Sequence, residues 1–283
     1  VLGGIVLDRF GIRKTGFLFT ALMGLGALVT AYGASGTFVD GGPGHDLAAS
    51  FWAGVPPALK MMSLGFFIFG LGAETSIVVL SKVVVKWFKG KEVALGLGLN
   101  VALGRLGSAL ALYITPKLVD PDWVFPLWVG AWLVVFGLVL FVGYMALDLK
   151  LDRQLREGLP HEPEDEFSLS DLKDLITNRS VVLITLLCVT FYSAVFPFIK
   201  YAPDLLMNEF GLPRDISGEI SSILMFGTIL LTPAFGWVAD SKGYSATLMY
   251  LGSALLIFSH LLFALTRITP YLPIFTLGVA FSL

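Results

Sequence analysis

Charge and cysteine are both scarce in this sequence, and each scarcity excludes a class of protein. Charged residues make up 14% of the 283 residues, whereas a typical soluble domain has about 25%. The single cysteine, Cys188, excludes a disulfide framework and a cysteine-based metal cluster. A formal net charge of −2 argues against nucleic-acid binding. No nucleophile–base pair and no metal-ligand spacing indicates an enzyme, so we expect no catalytic residues, no metal and no cofactor.

Long apolar runs separated by short polar breaks dominate what is present. Hydrophobic residues make up 56% of the chain, and the mean hydropathy is +0.82. A membrane-spanning helix needs roughly 20 mostly apolar residues. Complete spans are predicted at 15–34, 58–86, 92–115, 123–147, 180–202, 216–238 and 245–266, with partial spans at 1–7 and 270–283. The sequence therefore predicts an all-α, multi-pass protein of the lipid bilayer, and we expect it to be a fragment of a longer chain.

The distribution of basic residues and the one long polar break predict the domain organisation. Most Lys and Arg residues lie in alternate loops, which predicts that those loops are cytoplasmic. Residues 148–179 form the longest of these loops, and their leucine spacing predicts a short amphipathic helix. We therefore expect an N-terminal bundle at 1–147, a cytoplasmic linker at 148–179 and a C-terminal bundle at 180–283.

A short glycine–aspartate–glycine pattern occurs twice with the same internal spacing, each time between two apolar runs. The first copy contains Gly4, Asp8 and Gly11, and the second contains Gly236, Asp240 and Gly243. The pattern resembles the signature loop of the major facilitator superfamily. The resemblance implies two pseudo-symmetric six-helix bundles, incomplete here, running from the end of helix 2 to the start of helix 10. It also implies transport by alternating access.

The first copy of the pattern carries most of its charge. Arg9 and Arg13 flank the Asp8–Gly11 turn, in positions where the superfamily pattern has basic residues. In the superfamily this loop locks the cytoplasmic side, so the resemblance implies a gate. Asp8 is expected to pair with Arg13 or with a neighbouring helix. The alternative is a set of charges that only fixes membrane orientation.

A narrower resemblance concerns four further segments. Residues 72–76, 87–92, 104–108 and 191–199 resemble helices 4, 5 and 7 of a branch of the superfamily that carries dipeptides across the lysosomal membrane. That resemblance implies uniport of dipeptides, a lysosomal membrane with the plasma membrane as the alternative, and a lumenal accessory glycoprotein as partner. The superfamily also contains carriers of organic and inorganic anions, which is the alternative function. A non-transporting membrane sensor or scaffold of the same fold is a further alternative.

Two opposite charges fall inside predicted spans. A charge in the hydrocarbon core costs at least about 2.5–3.5 kcal/mol, so Glu74 and Arg105 are candidate functional residues. They lie equally far along the chain from the turn at Lys89 and Gly90, which predicts one shared depth roughly 20 Å from that turn. Glu74 can accept hydrogen bonds from a peptide ammonium, and Arg105 can bind a carboxylate with two parallel hydrogen bonds. The alternative is a permanent Glu74–Arg105 bridge between two helices.

Three further residues are candidates for the substrate site. Asn100 is a polar group among the small residues of the span at 92–115. Tyr192 and Tyr201 belong to an aromatic-rich span in which Pro197 predicts a kink. For all three residues, helix packing is the alternative interpretation.

Overall fold

The computed structural model describes residues 2–88, 93–120, 122–156, 177–242, 244–266 and 269–283. Most of the predicted linker, including its amphipathic helix, lies outside these residues, as do Gly243 and the turn at Lys89 and Gly90. The described residues form helices and short connections and contain no strand. The predicted all-α class is thereby confirmed for the part of the chain that the structure covers.

The helices, in chain order, are α1 Leu2–Ala34, α2 Gly36–Val39, α3 His45–Ser50, α4 Pro57–Phe88, α5 Val93–Leu118, α6 Phe125–Arg156, α7 Arg179–Phe210, α8 Arg214–Lys242, α9 Ser245–Leu265 and α10 Tyr271–Ser282. Within the described ranges, 7 helices are long and apolar enough to cross a membrane. They are α1 and α4 to α9, which confirms the seven complete spans predicted from hydropathy.

Two helix ends differ from the prediction. The break expected at 8–14 is present but short: within α1, Gly11, with φ 77° and ψ 168°, separates two helical segments that extend closer to the turn than predicted. Helix α6 continues to Arg156, well beyond the predicted end at 147. Its added turns carry Asp148 and Asp152, which are neutralised by basic side chains of other helices. An apolar-run criterion cannot detect that compensation.

The helices form two compact units, which we call the first unit (α1 to α4 and α6) and the second unit (α5 and α7 to α10). Helix α5 belongs to the second unit, although it follows α4 in the sequence. The reason lies in its contacts. Ala109 of α5 is fully buried in the core of the second unit, and Lys117 pairs with Glu219 of α8 at 2.7 Å. The division at 148–179 remains a prediction.

Glycines permit close helix packing in the first unit. A Cβ atom added at Gly26 of α1 would lie 2.6 Å from the carbonyl oxygen of Gly65 in α4. One added at Gly72 would lie 2.5 Å from the carbonyl oxygen of Phe19. Side chains at these positions would push α1 and α4 apart, so the missing Cβ atoms allow backbone contact between them, as small residues do in membrane proteins.

The second unit is held by an apolar core shared among its helices. Its buried residues are Ala109, Val195, Leu206, Ile220, Leu224, Met225, Leu256, Ile274, Leu277 and Ala280. Gly218 lets α8 approach α5, since a Cβ there would lie 2.7 Å from the carbonyl oxygen of Leu112. These contacts join α5 to α8 within the second unit.

Candidate functional site

Glu74 lies in the wall of a pocket of about 740 Å³ in the first unit. The lining residues are Thr30, Met62, Ser63, Phe66, Phe67, Gly70, Leu71, Glu74 and Thr75. All except Thr30 belong to α4, and most recur at intervals of three or four residues, so they share one face of that helix. Glu74 contributes the only carboxylate in this lining. The pocket therefore offers one anionic group in mostly apolar surroundings.

The opposite face of α4 explains why Glu74 is directed outward. Gly72, Thr75, Ser76 and Val79 are buried in the packing of the first unit. Because 3.6 residues make one turn, Glu74 lies about 200° around the helix axis from Gly72 and points away from that packing. Glu74 is accordingly exposed, as its position in the helix requires.

Arg105 is held by α8 and α10 within the second unit. Its Nη1 donates to the hydroxyl of Thr232 and, at 3.4 Å, to the carbonyl oxygen of Thr228. Its Cζ lies 4.9 Å from the ring centroid of Phe281, a distance suited to a cation–π contact. Among the described residues, Nε and Nη2 of Arg105 make no hydrogen bond. The guanidinium is thus fixed at one nitrogen and one face, while its Nε–Nη2 edge keeps donors for a planar carboxylate.

The ring of Phe281 that contacts this arginine belongs to a group of aromatic side chains, and we call Phe191, Tyr192, Phe196 and Phe281 the aromatic cluster. Tyr192 and Arg105 share the neighbour Phe281. The ring of Tyr192 stacks on Phe196 with centroids 5.1 Å apart and meets Phe281 edge-on at 6.3 Å. Two residues singled out from the sequence, Arg105 and Tyr192, are therefore brought together.

The remaining predicted substrate residues are placed separately. Tyr201 is 68% exposed on α7, about 13 Å along the helix axis from Tyr192. Asn100 is half-buried on α5 and, among the described residues, makes no side-chain hydrogen bond. Glu74 belongs to the first unit and Arg105 to the second. Their joint action on one substrate, and the alternative of a permanent bridge, remain predictions.

The first copy of the repeated pattern forms a turn that only glycine adopts readily. Gly11 has φ 77° and ψ 168°, a backbone region that is essentially restricted to glycine. The hydroxyl of Thr15 donates to the carbonyl oxygen of Val6 across this turn at 3.2 Å. Asp8 binds Nζ of Lys82 on α4 at 2.9 Å. Of the two partners expected for Asp8, the neighbouring helix is the one observed.

Arg13 takes part in an ion-pair network that we call the charge cluster: Arg13, Lys86, Asp148 and Asp152. Nη1 of Arg13 lies 3.2 Å from Asp148 and 2.7 Å from Asp152. Nζ of Lys86 lies 2.8 Å from Asp148 and 2.7 Å from Asp152. One basic residue comes from α1, the other from α4, and both acids come from α6. The cluster therefore ties three helices of the first unit together.

Asp148 is the buried centre of this network. Its side chain is only 1% exposed. Besides the two cations it accepts hydrogen bonds from the hydroxyl of Tyr144 at 3.0 Å and from Nε1 of Trp87 at 3.3 Å. A buried carboxylate is costly unless it is paired and hydrogen-bonded, and these four donors meet that requirement.

The other members of the repeated pattern contribute less to the observed contacts. Arg9 is exposed, with its guanidinium 5.7 Å from the ring centroid of Phe10. Gly4 and Gly236 lie within helices, and a Cβ at either would meet no atom within 4 Å. Gly243 and the side chain of Asp240 lie outside the described residues. The gating role of the second copy therefore remains a prediction.

Sequence reasoning missed several residues of these sites. Asp148 and Asp152 were assigned to the linker, although their i, i+4 spacing at the end of an apolar span is a helical signal. Thr232 and Phe281 had no comparable signal, because a hydroxyl and a ring that hold an arginine look like ordinary residues of an apolar span. Only the packing of α5 against α8 and α10 identifies them.

Comparison with known proteins identifies one matching family and several similar proteins. The model of the major facilitator superfamily matches residues 1–283. The lysosomal dipeptide transporter MFSD1 of Danio rerio is 29% identical, over 100% of this chain and 59% of that protein. MFSD1 of Homo sapiens is also 29% identical, over 99% of this chain and 58% of that protein. The alpha-ketoglutarate permease of Escherichia coli (strain K12) is 26% identical, over 95% of this chain and 59% of that protein. The chain thus spans less than two thirds of the length of these relatives.

Proposed function

The chain belongs to the major facilitator superfamily, and on that premise we propose that it forms part of a carrier that moves dipeptides by alternating access. A multi-pass membrane transporter is what the family and the seven spans indicate. The dipeptide substrate is supported by the similarity to MFSD1 proteins along the chain. The observation that carries the proposal is Glu74, a carboxylate that an apolar span presents to an open pocket.

In this proposal each end of the substrate meets one of the two charged residues. The ammonium of a dipeptide binds the carboxylate of Glu74, which replaces part of the water that the ion loses. The carboxylate of the dipeptide binds the Nε–Nη2 edge of Arg105, because Nη1 is already engaged by Thr232. Charged groups inside a membrane are costly, and a zwitterionic substrate supplies the complementary charge for both.

Three polar residues have secondary roles in the proposal. Tyr192, whose ring meets the Phe281 ring that contacts Arg105, closes the carboxylate end of the site. Asn100 and Tyr201 offer hydrogen bonds to the peptide group at other points of the transport cycle. These two assignments rest on the polar or aromatic character of each residue within its predicted span, since neither residue contacts the Arg105 surroundings among the described residues.

The charged end of the first unit serves as part of the gate. Asp8 with Lys82, and Arg13 with Asp148 and Asp152, hold α1, α4 and α6 together. A carrier that works by rocking one bundle against the other needs each bundle to move as a body. We propose that this end keeps the first unit intact during that movement, and that Gly236, Asp240 and Gly243 act correspondingly in the second.

The remaining parts of the proposal follow the resemblance to the MFSD1 proteins. The transport mode is uniport and involves no chemical step. The membrane is lysosomal, with the plasma membrane as the alternative, and a lumenal glycoprotein is the accessory partner. The names of the relatives support the lysosomal assignment at 27–29% identity.

A carrier of organic anions is the second candidate. One relative is an alpha-ketoglutarate permease, and the guanidinium of Arg105 is held within the second unit by groups that would suit an anion equally well. In that case Arg105 alone recognises substrate, and Glu74 has no part in binding.

Terminally blocked peptides separate the two candidates. The full-length protein is reconstituted in proteoliposomes, and uptake is compared for a free dipeptide, its N-acetyl derivative and its C-terminal amide. We expect Glu74→Gln to reduce uptake of the free dipeptide and of the amide, and Arg105→Lys to reduce uptake of the free dipeptide and of the N-acetyl derivative. Asp46→Asn and Arg214→Lys, at exposed positions, serve as matched controls. Uptake of 2-oxoglutarate that is unchanged by Glu74→Gln, without dipeptide uptake, would establish the second candidate.

A further inference from the structure

The pocket beside Glu74 has more room than an ammonium group requires. Its volume of about 740 Å³ lies within the usual range of small-molecule sites, roughly 300–1,000 Å³. Its surface is mostly apolar and includes the rings of Phe66 and Phe67 and the side chain of Leu71. We propose that this pocket is the subsite for the side chain of the first residue of the substrate. The inference rests on the proposed dipeptide function.

The covalent structure of a dipeptide connects the two contacts. The ammonium and the first side chain are attached to the same Cα atom, so an ammonium held at Glu74 brings that side chain to the pocket wall. The second residue begins about 3.8 Å farther along the chain, and in an extended peptide its side chain points to the other side. The pocket therefore distinguishes the first residue from the second.

The lining chemistry indicates which side chains fit. Aromatic and aliphatic groups form most of the wall, and an apolar side chain gains free energy by leaving water for such a surface. Thr30, Ser63 and Thr75 add hydroxyl groups, and those of Thr30 and Thr75 already donate to the backbone carbonyl oxygens of Gly26 and Leu71. The subsite is expected to accept aromatic and large aliphatic first residues.

Gly70 controls the space in this pocket. It lies one helical turn before Glu74 on the same face of α4, and a Cβ atom added there would meet nothing within 4 Å. A side chain added at Gly70 would therefore begin in open space at the pocket. Glycine is unfavourable in a helix interior, and the space it leaves here is the room that a substrate side chain would use.

A pair of dipeptides with the same composition tests the assignment. Phe-Gly and Gly-Phe have identical charges and atoms, and differ only in which residue carries the ring. In the full-length protein in proteoliposomes, Gly70→Leu is expected to lower the ratio of Phe-Gly uptake to Gly-Phe uptake roughly tenfold or more. Gly70→Ala is expected to give a smaller change in the same direction. Gly137→Leu in α6, where an added Cβ also meets nothing within 4 Å, is the matched control and should keep the wild-type ratio.

The outcomes separate this inference from the proposed function. If wild-type protein transports both dipeptides and neither Gly70 variant changes the ratio, the subsite assignment is wrong while dipeptide transport stands. Equal loss of both substrates in the Gly70 variants also overturns the assignment, and the pocket would then hold lipid or another part of the protein. If the wild-type protein transports neither dipeptide, the proposed function itself fails.

Discussion

The carboxylate of Asp8 lies 2.9 Å from Nζ of Lys82, across the packing of α1 against α4. The aspartate of the repeated pattern is therefore engaged by a neighbouring helix of its own unit. Arg13, five residues after Asp8, instead forms ion pairs with Asp148 and Asp152 of α6. Two residues close together in the sequence thus attach the same turn to two different helices.

Exchanging the charges of this pair tests whether their contact matters for transport. Asp8→Lys places two ammonium groups together and is expected to reduce substrate uptake, because like charges repel at this distance. Combining it with Lys82→Asp restores opposite charges and should recover most of the uptake. A double variant no better than the single ones would show that the pair itself is not required. The contribution to stability should stay below about 1 kcal/mol, since both side chains are partly exposed.

The buried centre of the charge cluster should contribute more to stability. Asp148→Asn removes the negative charge from a side chain that is 1% exposed and faces Arg13 and Lys86. We expect the free energy of unfolding to fall by about 1–3 kcal/mol. Arg13 and Lys86 would still pair with Asp152, but they would lose their buried partner. Thermal unfolding of the purified full-length protein in detergent measures the change, with Asp46→Asn as the exposed control. An unchanged melting temperature would contradict the central role of Asp148.

Glycine is required at position 11 because of the backbone conformation there, and not because neighbouring atoms leave no room for a side chain. An added Cβ there would meet nothing within 4 Å, yet φ is +77°. Gly11→Ala should therefore lower the free energy of unfolding by about 1–3 kcal/mol. Gly4→Ala, at an equally open position with helical backbone, should be neutral or stabilising. Equal effects of the two substitutions, measured by thermal unfolding, would rule out the conformational explanation.

Thr232 is expected to position Arg105. Thr232→Val keeps the shape of the side chain but removes the hydroxyl that accepts from Nη1. A hydrogen bond to a charged group contributes about 1.5–3 kcal/mol, so we expect KM for a free dipeptide to rise roughly tenfold or more. The maximal rate should change little. Thr232→Ser should preserve the wild-type KM.

The terminal amide of the same dipeptide provides the internal control for Thr232. It lacks the carboxylate that Arg105 is proposed to bind, so its KM should respond much less to Thr232→Val. A parallel rise in KM for both substrates would indicate a general packing defect of α8. Phe281→Leu, which removes the ring 4.9 Å from Cζ of Arg105, should resemble Thr232→Val in direction.

Hydropathy and local spacing were sufficient for much of the fold. Spans of about 20 apolar residues are required to cross a bilayer whatever their neighbours are, so the seven long helices could be predicted without any tertiary contact. The turn at Gly11 and the unusual charges of Glu74 and Arg105 were likewise visible, because each departs from its local surroundings.

The length of α6 and the membership of α5 could not be predicted in this way. Asp148 and Asp152 end an apolar run, and only Arg13 and Lys86 from other helices make their continuation as helix favourable. Helix α5 follows α4 in the sequence but shares its buried surface with α8 and α10. Which helices pack together depends on side-chain fit between segments far apart in the chain.

The sequence by itself determined where the chain crosses the membrane, where it must turn and which charges lie within the spans, because these follow from short-range composition. The tertiary structure decided which side chains those charges meet: Lys82 for Asp8, Asp148 for Arg13 and Thr232 for Arg105. It also formed the pocket at Glu74 from α1 and α4. Each of these contacts joins residues on different helices, and its geometry exists only once the helices have packed.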